Sequence, residues 1–171
     1  MKPFLYICLA LSLVAIVFVT VLFTMFPLKH KNYITEAATL YNVDPVLIAS
    51  VINAESSFRK DAVSQKGAVG LMQVMPATGE WVAKQLKIDF TEETLKDPHT
   101  NILIGTYYLN YLLEKFKDLK TALIAYNAGE GKVATWLTDA GVTTLTTCPY
   151  PVTNKYVEKV LNGMNFYKIR F

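Results

Sequence analysis

Asp44-Pro45-Val46-Leu47-Ile48-Ala49-Ser50-Val51-Ile52-Asn53-Ala54-Glu55 is the stretch that decides the fold class. Asp44 suits a helix N-cap, where its carboxylate accepts from a free first-turn amide, and Pro45 suits the first turn because no amide bond is lost there. Ile48, Val51, Ile52 and Glu55 then fall at i, i+3, i+4 and i+7, along one side of the helix. The spacing therefore predicts a core-facing stripe that ends in a carboxyl group. Burial without a cationic partner disfavours the charged form, so Glu55 is a candidate for an acid held protonated near neutral pH. The segment Gly67-Ala68-Val69-Gly70-Leu71-Met72-Gln73 follows soon after, and the pair suggests a proton donor beside a cleft.

Outward from this stretch, helical patterning continues over Tyr33 to Tyr41, Pro45 to Ser56, Pro76 to Leu86, Thr100 to Phe116, Leu119 to Tyr126, Gly131 to Asp139 and Asn154 to Tyr167. Sustained strand alternation is absent, so the expected class is mainly α. Ile102, Tyr108, Leu109, Leu112, Leu113 and Phe116 recur at helical intervals and mark the expected central packing helix, with Asp97-Pro98 read as the stop of the loop before it. Turn chemistry appears at Asn127-Ala128-Gly129-Glu130-Gly131 and at Cys148-Pro149-Tyr150-Pro151. No internal repeat interrupts the 171 residues, which allow one ordinary domain with a real core.

Towards the amino terminus, Phe4 to Phe26 contain no charged side chain and would span roughly 35 Å as a helix, enough to cross a bilayer. A cleaved signal peptide would have a shorter apolar region and a small-residue cleavage site. The expectation is therefore an uncleaved transmembrane anchor over residues 1–27, followed by a folded domain over residues 28–171. Lys2 flanks one side, whereas Lys29, His30 and Lys31 flank the other, so charge alone does not favour an external domain.

The whole chain carries 17 Lys+Arg against 14 Asp+Glu, with no basic cluster beyond Lys29 to Lys31, and nucleic-acid binding gains no support. The two cysteines, Cys8 in the apolar run and Cys148 near the other end, are too separated in expected location to pair. His30 and His99 stand in no metal-ligand spacing, so neither a metal nor a cofactor is expected and a zinc hydrolase is improbable.

Three ordered blocks carry a resemblance. The first is Ala54-Glu55-Ser56-Ser57-Phe58, continued by Ala62 to Pro76 through the glycine segment; the second is Asp97-Pro98-His99-Thr100-Asn101-Ile102 with Gly105 and Tyr108-Leu109; the third is Ala125-Tyr126-Asn127-Ala128-Gly129. From about Tyr33 to the C-terminus the chain resembles the catalytic domain of the lytic transglycosylases related to the soluble lytic transglycosylase, which share the lysozyme-like fold. The resemblance implies a lysozyme-like helical domain behind an N-terminal transmembrane helix, with Glu55 as catalytic acid and base. It also implies that Ser64, Gln73 and Met75 line the substrate groove. Gly70 and its loop allow close backbone approach suited to a saccharide cleft wall. Gln73 offers an amide that donates and accepts, and Met75 a deformable apolar surface, against the alternatives of a turn residue and a core methionine. The Tyr126 phenol is expected to orient Glu55 or meet an N-acetyl group, against a tyrosine satisfied by backbone; Asn127 and Tyr156 complete the candidate groove.

Related enzymes commonly carry a Glu-Thr pair shortly before Tyr-Val, whereas this chain reads Val152-Thr153-Asn154-Lys155-Tyr156-Val157, with valine at the glutamate position. The implied reaction is non-hydrolytic cleavage of the MurNAc-β-1,4-GlcNAc bond of peptidoglycan glycan strands, leaving a 1,6-anhydromuramyl end. One protein carboxyl group then suffices, where an ordinary glycosidase needs two. A hydrolytic muramidase and a noncatalytic wall-binding or assembly module are the rivals, the second opposed by the intact Glu55. Such a substrate implies a single-pass protein of the cytoplasmic membrane, with the amino terminus cytoplasmic and the domain on the cell wall side.

Overall fold

The computed structural model describes residues 2–171, with side chains from Tyr6 onward; Met1 of the expected anchor and the side chains of Lys2 and Phe4 lie outside the described residues. The elements are α1 (Lys2–Met25), α2 (Lys31–Tyr41), α3 (Pro45–Ser56), α4 (Pro76–Leu86), a 3-10 turn (Glu92–Lys96), α5 (Pro98–Phe116), α6 (Leu119–Ala128), α7 (Glu130–Ala140) and α8 (Pro151–Tyr167). Among the described residues no strand forms beyond isolated bridges of Val69 with Val63 and Val74. The chain is mainly α, as expected.

Local chemistry sets the helix starts. The Asp44 carboxylate accepts from Val46 N at 2.8 Å with Pro45 in the first turn of α3, and Asp118 accepts from Thr121 N at 2.8 Å to start α6. Asp97 does the same for α5 through Thr100 N at 2.8 Å, with Pro98 in the first turn. Asp97-Pro98 thus opens the central helix rather than merely closing the loop before it, by the chemistry that opens α3. Helix α8 starts at Pro151 rather than Asn154, with the first-turn proline but no side-chain cap, since its N-cap is Tyr150.

Helix α5 packs against α2, α4, α6 and the 3-10 turn, while α3 lies between α2 and α8. The stripe expected on α3 is too narrow: Leu47, Ala49 and Ser50 are buried along with Ile48, Val51 and Ile52. A helix apolar all round is a core helix when it is short, and α3 spans only about 18 Å. In the last turn Asn53 and Ser56 stay buried, whereas Ala54 and Glu55 are only partly covered and so reach the edge of the core.

Helix α1 is also apolar, and its segment Tyr6–Met25 is long and apolar enough to cross a membrane, with no part of it buried inside the domain. Only its end is docked. The carbonyls of Met25, Phe26 and Pro27 accept from Asn53 Nδ2 (3.3 Å), Arg170 Nη1 (2.9 Å) and Tyr167 Oη (2.8 Å). These are among the groups that a helix end leaves without intrahelical partners.

Candidate active site

Glu55 sits one residue before the end of α3, and the two residues after that helix, Ser57 (φ 52°) and Phe58 (φ 60°), turn the chain through left-handed conformations. Phe58 is buried, so the turn is anchored by packing and the chain is directed into the wall of an open cleft of about 760 Å³. Glu55, Ser64 and Gln73 line that cleft together with Phe58, Arg59, Lys60, Asp61 and Lys29. Burial pushes the Glu55 carboxyl up to about 7, against the smaller opposing pulls of the Tyr156 hydroxyl and then the Lys159 ammonium. An acid with this affinity is part protonated at neutral pH and can both give and take a proton.

Tyr156 is buried on α8 and its hydroxyl has no hydrogen-bond partner in good geometry. The ionisable group it opposes is Glu55: burial, followed by the Glu55 charge, drives the phenol well above its ordinary pKa. Three residues further along α8, Lys159 Nζ donates to Ala54 O at 2.8 Å and ties α8 to the last turn of α3. Sequence reasoning missed Lys159, although its i+3 spacing from Tyr156 puts both on one helix face.

Tyr126 is fully committed as a donor, yet it lies within the field of Glu55: burial, followed by the Glu55 charge, drives its phenol well above its ordinary pKa. Its hydroxyl donates to Met72 O at 2.9 Å, so it straps α6 to the glycine segment and matches the backbone-satisfied alternative. Glu55 thus has two phenols near it, Tyr126 on α6 with its donor spent on Met72 O and Tyr156 on α8 without another partner. Asn127 lies in a neighbouring cavity of about 340 Å³ with Lys66, Lys132, Tyr150 and the exposed Val152, where its Oδ1 accepts from Thr153 Oγ1 at 2.8 Å.

The glycine segment is held from beneath. Asn101, buried on α5, accepts from Met72 N at 2.8 Å and donates to Val69 O at 3.0 Å and Leu95 O at 2.7 Å. Gly70 (φ 82°) is buried against this amide, and a Cβ there would collide with Asn101 Nδ2 and the Leu95 carbonyl. It therefore underlies the cleft wall and does not form its surface. Gln73 lines the cleft with less freedom than expected: its Nε2 donates to Ala62 O (3.0 Å) and Gly70 O (2.9 Å), leaving Oε1 as the uncommitted atom. Ser64 Oγ accepts from Ala68 N at 2.9 Å. Met75 is exposed before α4, whereas Met72 is the core methionine.

Among the described residues no three His, Cys, Asp or Glu side chains converge as a metal site would require. The arrangement offers a buried carboxyl group poised for proton transfer, phenols beside it and a polar wall that includes Asp61.

Comparison with known proteins gives this arrangement a context. The family description "Transglycosylase SLT domain" matches residues 32–144. The soluble lytic murein transglycosylase of Salmonella typhimurium is 33% identical over 151 residues, covering 84% of this chain and 23% of that protein. The membrane-bound lytic murein transglycosylase E of Buchnera aphidicola is 40% identical over 97 residues, covering 54% of this chain and 44% of that one. The crystal structure of the 70-kDa soluble lytic transglycosylase of Escherichia coli superposes with a TM-score of 0.77 at 31% identity, over 85% of this chain and 25% of that chain. The chain thus spans about a quarter of the length of the soluble relatives it matches.

Proposed function

The chain belongs to the transglycosylase SLT domain family, and from that premise we propose that it is a peptidoglycan lytic transglycosylase with Glu55 as its acid and base. The reading rests above all on Glu55, a carboxyl group raised to about 7 at the mouth of a cleft and opposed by a buried phenol without another partner. Protonated Glu55 donates to the glycosidic oxygen between N-acetylmuramic acid and N-acetylglucosamine as the bond from that oxygen to the muramyl anomeric carbon breaks. The muramyl acetamido group steadies the positive carbon. The Glu55 carboxylate then takes the proton of the muramyl 6-hydroxyl, whose oxygen bonds to the anomeric carbon and closes the 1,6-anhydro ring. No water is consumed, and the tethered hydroxyl has the proximity advantage of an intramolecular nucleophile.

Within this scheme Tyr156 orients the carboxyl, and Ser64 and the free Gln73 Oε1 meet sugar substituents. Asn127 and Met75 extend the groove beyond the cleft, and Gly70 supports it from behind. The second cavity carries Val152 where relatives commonly have glutamate, flanked by Lys66 and Lys132, so any contact made there with the peptide side of the substrate differs in charge. Residues 1–27 serve as a single-pass anchor in the cytoplasmic membrane, with residues 28–171 on the cell wall side. The membrane-bound name of the Buchnera relative and the exposed apolar α1 support this placement.

A hydrolytic muramidase is the second reading, because Asp61 lines the same cleft as Glu55 and supplies the second carboxylate that hydrolysis calls for. Digestion of purified peptidoglycan followed by mass spectrometry of the muramyl ends tests both. Anhydro ends, one water lighter than reducing ends, are the expected product; reducing ends would establish hydrolysis, and an undigested wall would defeat the enzymatic reading.

A further inference from the structure

The end of α1 is fixed to the domain. Three successive carbonyls, Met25 O to Pro27 O, are capped by Asn53, Arg170 and Tyr167. Phe26 stacks on Phe166 with ring centroids 4.0 Å apart, and the Arg170 guanidinium lies 4.5 Å from the centroid of Phe23 in the last turns of α1. Lys31 Nζ donates to Arg170 O at 2.6 Å and lies 4.9 Å from the centroid of Phe171. The chain leaving α1 and the tail Lys168–Phe171 therefore lie side by side around one exit point.

The composition of that ring is unusual for a face meeting only water. Ile169 is 84% exposed, and Phe171 and Phe23 are exposed beside it. Lys31 and Arg170 lie on these aromatic groups, Lys29 and Lys168 stand within the same two segments, and none of the four has a carboxylate partner in any ion pair among the described residues. Aromatic side chains favour the boundary between hydrocarbon and headgroups, and cations next to a membrane helix are drawn to anionic lipid. Long basic side chains can also keep their charges among headgroups while their stems lie on apolar surface.

We propose that residues 26–31 and the tail Lys168–Phe171 form a collar that rests on the anionic headgroups of the bilayer, holding the Glu55 cleft at the membrane surface. This rests on the reading of α1 as a membrane anchor. Lys29 lines the cleft and stands four residues beyond Met25, a reach of at most about 14 Å of extended chain. The headgroup layer is itself roughly 5–8 Å deep on each side of the hydrocarbon. The cleft therefore opens at the edge of that layer, and the glycan it receives is the glycan lying against the membrane.

The test uses the full chain with Cys8→Ala and Cys148→Ala, carrying either Ile169→Cys or Val142→Cys labelled with an environment-sensitive fluorophore. Val142 lies in the loop after α7, a helix that packs on α6. The protein is placed in nanodiscs of phosphatidylglycerol-rich or pure phosphatidylcholine bilayers containing spin-labelled lipid. The collar requires quenching at position 169 to exceed that at position 142 severalfold in the anionic discs, and to fall in the zwitterionic ones. Equal quenching at both positions in protein retained in the discs overturns the collar while leaving the anchor standing. Equal quenching at position 169 in both lipids overturns anionic headgroups as the partner, and failure to enter discs overturns the anchor on which the proposal rests. Neither readout uses glycan cleavage, so failure of the enzymatic reading shows separately.

Discussion

Helices α1 and α3 are both apolar on all sides and meet opposite fates: α3 is buried almost entirely within the domain, and α1 is exposed along its length. Length separates them, because α1 at 24 residues reaches about 36 Å whereas α3 at 12 reaches about 18 Å. Polar content separates them too. Helix α3 ends with Asn53, Glu55 and Ser56, each positioned by protein groups, whereas the hydroxyls of α1 are returned to its own carbonyls, as Thr20 Oγ1 is to Ile16 O at 2.8 Å. Uniform apolarity thus does not identify the solvent of a helix. A protein interior can also tune a carboxyl group, because the neighbours that desolvate it are fixed.

The largest effect expected from this contrast is on chemistry. Glu55→Gln should lower glycan cleavage by about a hundred- to ten-thousand-fold while the protein still folds, as turnover assays with circular dichroism would show; near-normal turnover in a folded variant would remove Glu55 from its role. In the buried helix, Ile52→Ala should destabilise the domain by about 2–5 kcal/mol in denaturant titrations. In the exposed helix, Val14→Arg should leave that midpoint unchanged and cost about 2.5–3.5 kcal/mol of membrane insertion, read as protein lost from the membrane fraction. If Val14→Arg instead unfolded the domain, the two helices would share one core and the contrast would fail.

A subtler effect follows from the raised Glu55 pKa. Below the ordinary carboxylate range Glu55 is protonated whether the chain is folded or unfolded, so its ionisation contributes no difference. Between that range and pH 7 only the unfolded chain ionises and stability falls; above about 7 the loss levels off at up to about 3 kcal/mol. Glu55→Gln should therefore match the parent near pH 4 and exceed it in melting temperature above neutrality. A parallel pH dependence of the two proteins would contradict the buried carboxyl. Smallest is Tyr156→Phe: losing a hydroxyl that favours the carboxylate should move the acid-dependent limb of the pH–rate profile upward, and an unmoved limb would separate Tyr156 from Glu55.

The Asp44 cap, the helix it opens and the carboxyl group that ends it are all visible in a single stretch of sequence. The identical Asp-Pro signal at Asp97 is harder to read because the first turn of α5 is polar, His99-Thr100-Asn101, and Asn101 is buried to bind the Leu95 carbonyl and the glycine segment about thirty residues earlier. The 3-10 turn at Glu92–Lys96 carries no helical period and is held by local bonds such as Thr94 Oγ1 to Thr91 O at 2.7 Å. In the site, residue type alone cannot distinguish Tyr126 from Tyr156. Both phenols lie in the field of Glu55, but Tyr126 spends its donor on the Met72 carbonyl 54 residues away while Tyr156 has no other partner, so the difference belongs to the packing of α6 and α8. Gln73 was legible as a polar group, but its two donors are taken by backbone that the glycine segment brings near.

The capped end of α1 also has a kinetic meaning. The bonds from Tyr167 to Pro27 and from Arg170 to Phe26 close loops of 140 and 144 residues. Long loops cost the most entropy to close, and contacts of such high sequence separation slow folding. The joint between helix and domain should therefore form late in folding, once α3 and α8 are packed, and a docked α1 then marks a domain whose cleft is already built.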